Sequence, residues 1–163
     1  MKLTRWLALV SVSLFLSLPR HSTHAEDAIV GVASVIDGDT IEVHGIRIRL
    51  SGIDAPESRQ ECIRSDATNW RCGQEAAFEL SNRIGTNPIR CEPQGRDRYR
   101  RTIATCYDRG EDLNRWMVLN GWAVAYRKYS VVYVPDEDRA RGDKRGIWVS
   151  TFEMPWDFRS RGR

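Results

Sequence analysis

The segment from Val35 to Glu57, V-I-D-G-D-T-I-E-V-H-G-I-R-I-R-L-S-G-I-D-A-P-E, constrains this chain more than any other. Two turn signals, Asp37-Gly38 and His44-Gly45, separate three strand-like runs, which predicts a three-stranded meander. Folding back draws the acids at its two ends together, Asp37 and Asp39 from one, Asp54 and Glu57 from the other. Arg47 and Arg49 share one face of the third run. Several carboxylates without a histidine among them suit a hard, oxygen-seeking cation, and a neighbouring guanidinium suits phosphate. A cation, an arginine and a spare carboxylate are the equipment for hydrolysing a phosphodiester. Such acids repel one another, so removing one of them is expected to leave the cation-free protein as stable as before, or slightly more so.

The first 25 residues read as a secretory signal and not as part of the fold. Lys2 and Arg5 precede an apolar run, Trp6 to Leu18, that is too short to span a bilayer comfortably. Pro19 breaks the run, and Thr23-His24-Ala25 resembles a small-residue cleavage site, with an uncleaved anchor as the alternative. The signal holds Lys2, Arg5 and Arg20 and no acid, so the 25 basic residues of the chain fall to 22 after it, against 22 acidic ones. Overall basicity therefore says nothing about partners. Distribution says more: Arg96, Arg98, Arg100 and Arg101 cluster around one turn, a local positive patch.

Cysteine usage points to the same compartment. Cys62, Cys72, Cys91 and Cys106 form no C-x-x-C pair, and His44 is the only histidine after position 25, so disulfides are expected and zinc is not. Cys91 and Cys106 lie at equal distances from a turn centred on Arg98 and Tyr99, which favours the pairing Cys91–Cys106 with Cys62–Cys72 among the three possible. The protein is expected to be secreted or periplasmic, a monomer, with no stable membrane association once the signal is removed.

Residues 26–150 suit one domain, followed by an arginine-bearing C-terminal tail, 151–163. Ser58 to Arg71 reads as polar and irregular. A helix is predicted over about Gln74–Ile84, with Ala76, Ala77, Leu80 and Ile84 at helical spacing. Pro88–Glu92 and Thr102–Tyr107 read as the fourth and fifth strands. Asp112 is the expected N-cap of a helix through Leu119, and Pro135 with three following acids starts a third helix, ended by Gly146. The fold class is α+β, mainly β: a five-stranded OB-type barrel with about three helices.

Several motifs carry a family resemblance: I-D-G-D-T, R-L-S-G-I-D-A-P-E, D-R-Y-R-R-T, D-L-N-R-W-M-V-L-N-G-W-A and G-I-W, in this order. The chain resembles the thermonuclease, or staphylococcal nuclease-like, family, in its secreted, disulfide-bearing branch. The resemblance implies a calcium-dependent nuclease acting on DNA and/or RNA that breaks the bond to the 5′-oxygen and leaves 3′-phosphate ends. It places the calcium-binding aspartates at Asp39 and Asp54, with the Ala55 backbone carbonyl as a further ligand and Asp37 near the ion. The general base falls on Glu57 and the phosphate-gripping arginines on Arg49 and Arg101. Tyr99, Arg98, Arg100 and Tyr126 are then candidates for substrate binding. Ala55 stands where a threonine is usual, and Arg100 where a glycine is usual.

Each of these residues has a plainer use. Asp-Gly makes a hairpin turn unaided, Asp54 could be a turn acid, Glu57 a helix cap, and Tyr99 and Tyr126 core aromatics. The other readings of the whole chain are a non-catalytic OB-fold module that binds nucleic acid or another polyanion, and a saccharide-binding barrel.

Overall fold

Alternation of buried and exposed side chains organises the first half of the protein. The computed structural model describes residues 27–161, so the signal read in residues 1–25 lies outside the described part. Strand β1 (Ile29–Asp37) turns Ile29, Ala33 and Val35 toward the core and leaves Val30, Val32 and Ile36 exposed. With β2 (Thr40–Val43) and β3 (Ile46–Leu50) it forms the expected antiparallel meander. The two turn glycines act differently. His44 and Gly45 both have positive φ, 52° and 77°, the combination that a tight primed hairpin turn requires. Gly38 has no such angle; a Cβ there would sit 2.7 Å from the Ala55 Cβ, so its glycine is a matter of space.

The chain continues through β4 (Ile53–Asp54), β5 (Cys62–Arg64), β6 (Asn69–Trp70), helix α1 (Cys72–Ile84), β7 (Pro88–Arg96), β8 (Thr102–Asp108) and β9 (Glu111–Asp112). Helix α2 (Leu113–Leu119), β10 (Val124–Ala125), α3 (Val134–Gly142), a 3-10 turn (Gly146–Val149), β11 (Ser150–Thr151) and α4 (Pro155–Arg161) complete it. β7 pairs antiparallel with β1 and β8, and β8 pairs in parallel with β3. That last pairing closes the barrel in the order β1-β2-β3-β8-β7, the five-stranded OB type, mainly β with four helices. Ile41, Ile48, Leu50, Leu80, Ile89 and Met117 fill its interior. Burying a side chain of this size stabilises by about 1.5–3 kcal/mol.

Several details differ from the sequence reading. The stretch 58–71, read as irregular, contains the β5–β6 hairpin, with β11 added at its edge. These strands have two or three residues, too few to show an alternation. The third helix stops at Gly142, and Gly146 opens the 3-10 turn instead of ending the helix. Glu137 is wholly buried: its carboxylate accepts from the Ala125 amide at 2.6 Å and from Arg127 and Arg141, which ties α3 to β10. Asp112 caps α2 through the Arg115 amide, and the buried Asn114 bonds the carbonyls of Ser51 and Ala104 and the Cys106 amide.

Beyond residue 151 the chain folds back. Phe152, Met154 and Trp156 pack with Trp70 and Trp148 around a second small core of Cys62, Cys72, Val124 and Ile147. Helix α4 follows, a fourth helix that the sequence reading lacked.

The two disulfides pair as expected, Cys62 with Cys72 and Cys91 with Cys106. Cys91 and Cys106 are direct ladder partners with Cα atoms 4.0 Å apart, and the register shifts only beyond them, at a bulge between Pro93 and Gly95. A bridge closing a loop of this length stabilises mainly by restricting the unfolded chain, by about 3 kcal/mol. Cys91→Ala/Cys106→Ala is therefore expected to lose roughly 2–5 kcal/mol of unfolding free energy, read from urea denaturation of oxidised protein, with no change in far-ultraviolet circular dichroism.

Candidate active site

The meander places its acids at one end of the barrel, and β4 brings the fourth group beside them. Asp39, in the tight connection between β1 and β2, is almost fully buried; its Oδ2 accepts the Ala55 amide at 2.8 Å and its Oδ1 the Thr40 hydroxyl at 3.0 Å. Asp54 is wholly buried, and β10 holds its backbone by pairing Val124 opposite it. Arg49, next to the last residue of β3, reaches both acids: one nitrogen touches Asp39 Oδ1 and the other donates to Asp54 Oδ1 at 2.5 Å. Burial works against the Arg49 charge, yet the Asp39 and Asp54 carboxylates hold its pKa above the ordinary value.

Asp37 lies at the rim, accepting the Gly38 amide at 3.0 Å and the Ser58 hydroxyl at 3.2 Å. Burial, with repulsion from Asp39 and Glu57, pushes its pKa up to about 6. Burial also raises the pKa of Asp54, and Asp39 adds to it, against the lowering effect of the arginines. Glu57 is half-buried on the loop after Pro56. The buried Gln60 accepts its amide, and Gly73 of α1 lies so close beneath that a Cβ there would come 1.7 Å from the Glu57 carbonyl oxygen.

The arginine turn supplies the other side. Asp97 fixes Arg101 twice, accepting from its backbone amide at 2.9 Å and from its Nε at 2.7 Å, and Arg101 Nη1 stands 3.4 Å from the Thr40 hydroxyl. That contact links the turn to the residue next to Asp39. Tyr99 is 61% exposed, with the Arg98 and Arg101 guanidiniums 4.8 and 5.6 Å from its ring centre. Arg100 adopts φ 67°, the left-handed conformation that glycine takes most easily. Arg98 and Arg100 are exposed. Tyr126 stands apart from them: Trp156 stacks flat against it at 5.5 Å and Tyr129 meets it edge-on at 4.9 Å.

One side chain in contact with these acids escaped the sequence reading. Arg159 of α4 places a two-pronged guanidinium on Asp54, with Nη1 2.9 Å from Oδ1 and Nη2 2.7 Å from Oδ2, and Nη1 also reaches Glu57 Oε1 at 2.7 Å. The only signal was an arginine on a C-terminal segment rich in aromatics. Among the described residues no three or more His, Cys, Asp or Glu side chains form a group that could hold a metal ion. The acids are instead interleaved with Arg49 and Arg159. The arrangement alternates buried carboxylates with guanidiniums at one end of the barrel.

Comparison with known proteins agrees with this geometry. The sequence profile of the family described as Staphylococcal nuclease homologue matches residues 47–150. The succinoglycan biosynthesis protein ExoI of Rhizobium meliloti (strain 1021) is 39% identical over 148 residues, covering 89% of this chain and 76% of its own. An uncharacterized endonuclease of Haemophilus influenzae is 32% identical, covering 72% of this chain and 65% of its own. A micrococcal nuclease of Shigella flexneri is 30% identical, covering 78% of each chain. With the relatives named endonuclease and micrococcal nuclease, the match supports a nuclease. The chain belongs to the staphylococcal nuclease homologue family, and its two disulfides fit the disulfide-bearing branch.

Losing an acid is expected to relieve repulsion even at Asp54. It is the shared partner of two guanidiniums, yet each keeps a second carboxylate, Arg49 with Asp39 and Arg159 with Glu57. Burial and the neighbouring Asp39 both disfavour the Asp54 charge. Asp54→Ala is therefore expected to leave the unfolding free energy unchanged or slightly raised without added metal, measured by chemical denaturation.

Proposed function

We propose that the protein is a secreted or periplasmic nuclease that hydrolyses DNA and/or RNA with a divalent cation, calcium, and leaves 3′-phosphate ends. The observation that carries this reading is Arg49 joined to Asp39 and Asp54 while Glu57 and Arg101 flank the same end of the barrel. Family membership and the relatives named endonuclease and micrococcal nuclease support it. Two disulfides, and no helix among the described residues long and apolar enough to cross a membrane, are in keeping with export.

The donor set fits calcium: Asp39 and Asp54 are hard oxygen donors, and the space their oxygens address is already occupied by positive charge. Asp39 and Asp54, with the Ala55 carbonyl and Asp37 nearby, would hold the ion, which supplies charge neutralisation at the phosphate and a more acidic water. The chain's own groups do the rest. Arg49 and Arg101 span the phosphate oxygens with planar two-pronged donors and follow the charge that grows on them. Asp97 keeps Arg101 aimed and limits the entropy lost on binding. Glu57 accepts a proton from the attacking water as the bond from phosphorus to the 5′-oxygen breaks. Tyr99, Arg98 and Arg100 line the approach, where an aromatic face and positive charge suit a nucleic acid strand.

A chelator is expected to abolish hydrolysis of single-stranded DNA and RNA and calcium to restore it. Glu57→Gln is expected to lower turnover roughly 10²–10⁴-fold with little change in substrate binding. Full activity in excess chelator would overturn the cation reading, and a saccharide polymer is the control substrate that the ExoI relationship recommends.

Arg49→Lys and Arg101→Lys are expected to cut turnover severely, because lysine keeps the charge and loses the fork. Arg98→Lys and Arg100→Lys should act chiefly on salt-dependent substrate binding. Steady-state kinetics at low and moderate salt check the contrast.

A further inference from the structure

The hydrolysis just described needs Asp54 and Glu57 open, yet Arg159 engages both. A carboxylate offers about four lone-pair positions. At Asp54, Arg49 takes one on Oδ1, and Arg159 takes one on each oxygen. The same Arg159 nitrogen that bonds Asp54 Oδ1 also bonds Glu57 Oε1. A cation on Asp54 would therefore meet a guanidinium within hydrogen-bonding range, where like charges repel strongly in a half-buried site. Asp39, Asp54 and Glu57 outnumber the one guanidinium of Arg49, and Arg159 adds a second guanidinium to the cluster.

The attachment of α4 suits a movable group. Its root is fixed: buried Gln60 donates to the Glu153 carbonyl at 2.6 Å while accepting the Glu57 amide, and Phe152 and Met154 sit against the second core. Past the root, the first turn of α4 is held by buried Pro155 and by Trp156, which packs on Tyr126 and on the second core. Its last turn is held by the ion pairs of Arg159 with Asp54 and Glu57 and of Arg161 with Glu153, and Ser160 and Arg161 are exposed. The helix has seven residues, so lifting its last turn frees Arg159 while Trp156 stays on the core.

We propose that Arg159 is a tethered counter-ion that competes with the divalent cation for Asp54, so that α4 docks on the site when the cation is absent and is released when it binds. The inference rests on the cation reading given above. Release also frees Glu57, so one event fills the cation position and unmasks the proton acceptor. Because the competition is reciprocal, docking weakens cation binding by the same factor as the cation weakens docking.

Calorimetric titration of the oxidised protein with calcium chloride at fixed ionic strength tests this without measuring activity. Arg159→Gln is expected to bind calcium roughly 5–150-fold more tightly than the parent, the usual range of such couplings. Arg159→Lys should lie between them. Arg161→Gln removes the same charge two residues along the helix, from the Glu153 ion pair, and is expected to change little. Hydrogen exchange of residues 155–161 should quicken on adding calcium to the parent and stay unchanged in Arg159→Gln. Equal or weaker binding by Arg159→Gln, or equal tightening in Arg161→Gln, would overturn the proposal while leaving the cation reading intact. Absence of calcium binding by both the parent and Arg159→Gln would overturn both.

Discussion

The contact of Arg49 with Asp39 and Asp54 is the interaction on which the rest of the structure depends. Two carboxylates nearly out of water would repel each other and lose their hydration. A guanidinium between them makes their burial tolerable, and the barrel is built so that all three arrive together. β3 carries Arg49 near its end, β2 pairs Thr40 opposite it, and β10 steadies the backbone of Asp54. Glu137, far from any chemistry, serves this arrangement by binding the amide of β10.

The same pair makes the site versatile. A buried field that calls for positive charge can be satisfied by a side chain or by an ion, and the protein holds more than one candidate. Arg49 is short-range and built into the sheet, whereas Arg159 comes from a helix resting on the surface of a small second core. Arg101 instead pairs with its own partner, Asp97, and reaches only the Thr40 hydroxyl beside the acids.

Much of this was legible in the residues. The meander, the strands around Cys91 and Cys106 and the α2 cap follow from alternation, turn residues and a capping aspartate, all local signals. The pairing of Cys91 with Cys106 was readable because a hairpin is symmetric about its turn. The acids and Arg49 could be brought together from the meander alone. What stayed hidden depends on distant parts of the chain. The β5–β6–β11 sheet has strands too short to show a period, and it forms because two disulfide cysteines and several tryptophans bury there. Gly38 lies in the expected turn, but its need for glycine comes from the nearness of Ala55, which no local pattern shows. Arg159 lies 105 residues from Asp54, and no pattern around it announces a partner so far back. The partner that stacks on Tyr126, Trp156, lies thirty residues further on, where no local pattern points to it.

That separation also orders events in time as the chain folds. Arg49 lies five residues from Asp54 and ten from Asp39, so the acids gain their first counter-charge from within one hairpin and its following turn. Closing so short a loop costs little entropy and happens early. Arg159 can join only after the barrel has closed through β3 and β8 and the second core has assembled. During the interval the cluster carries its excess negative charge unrelieved by α4.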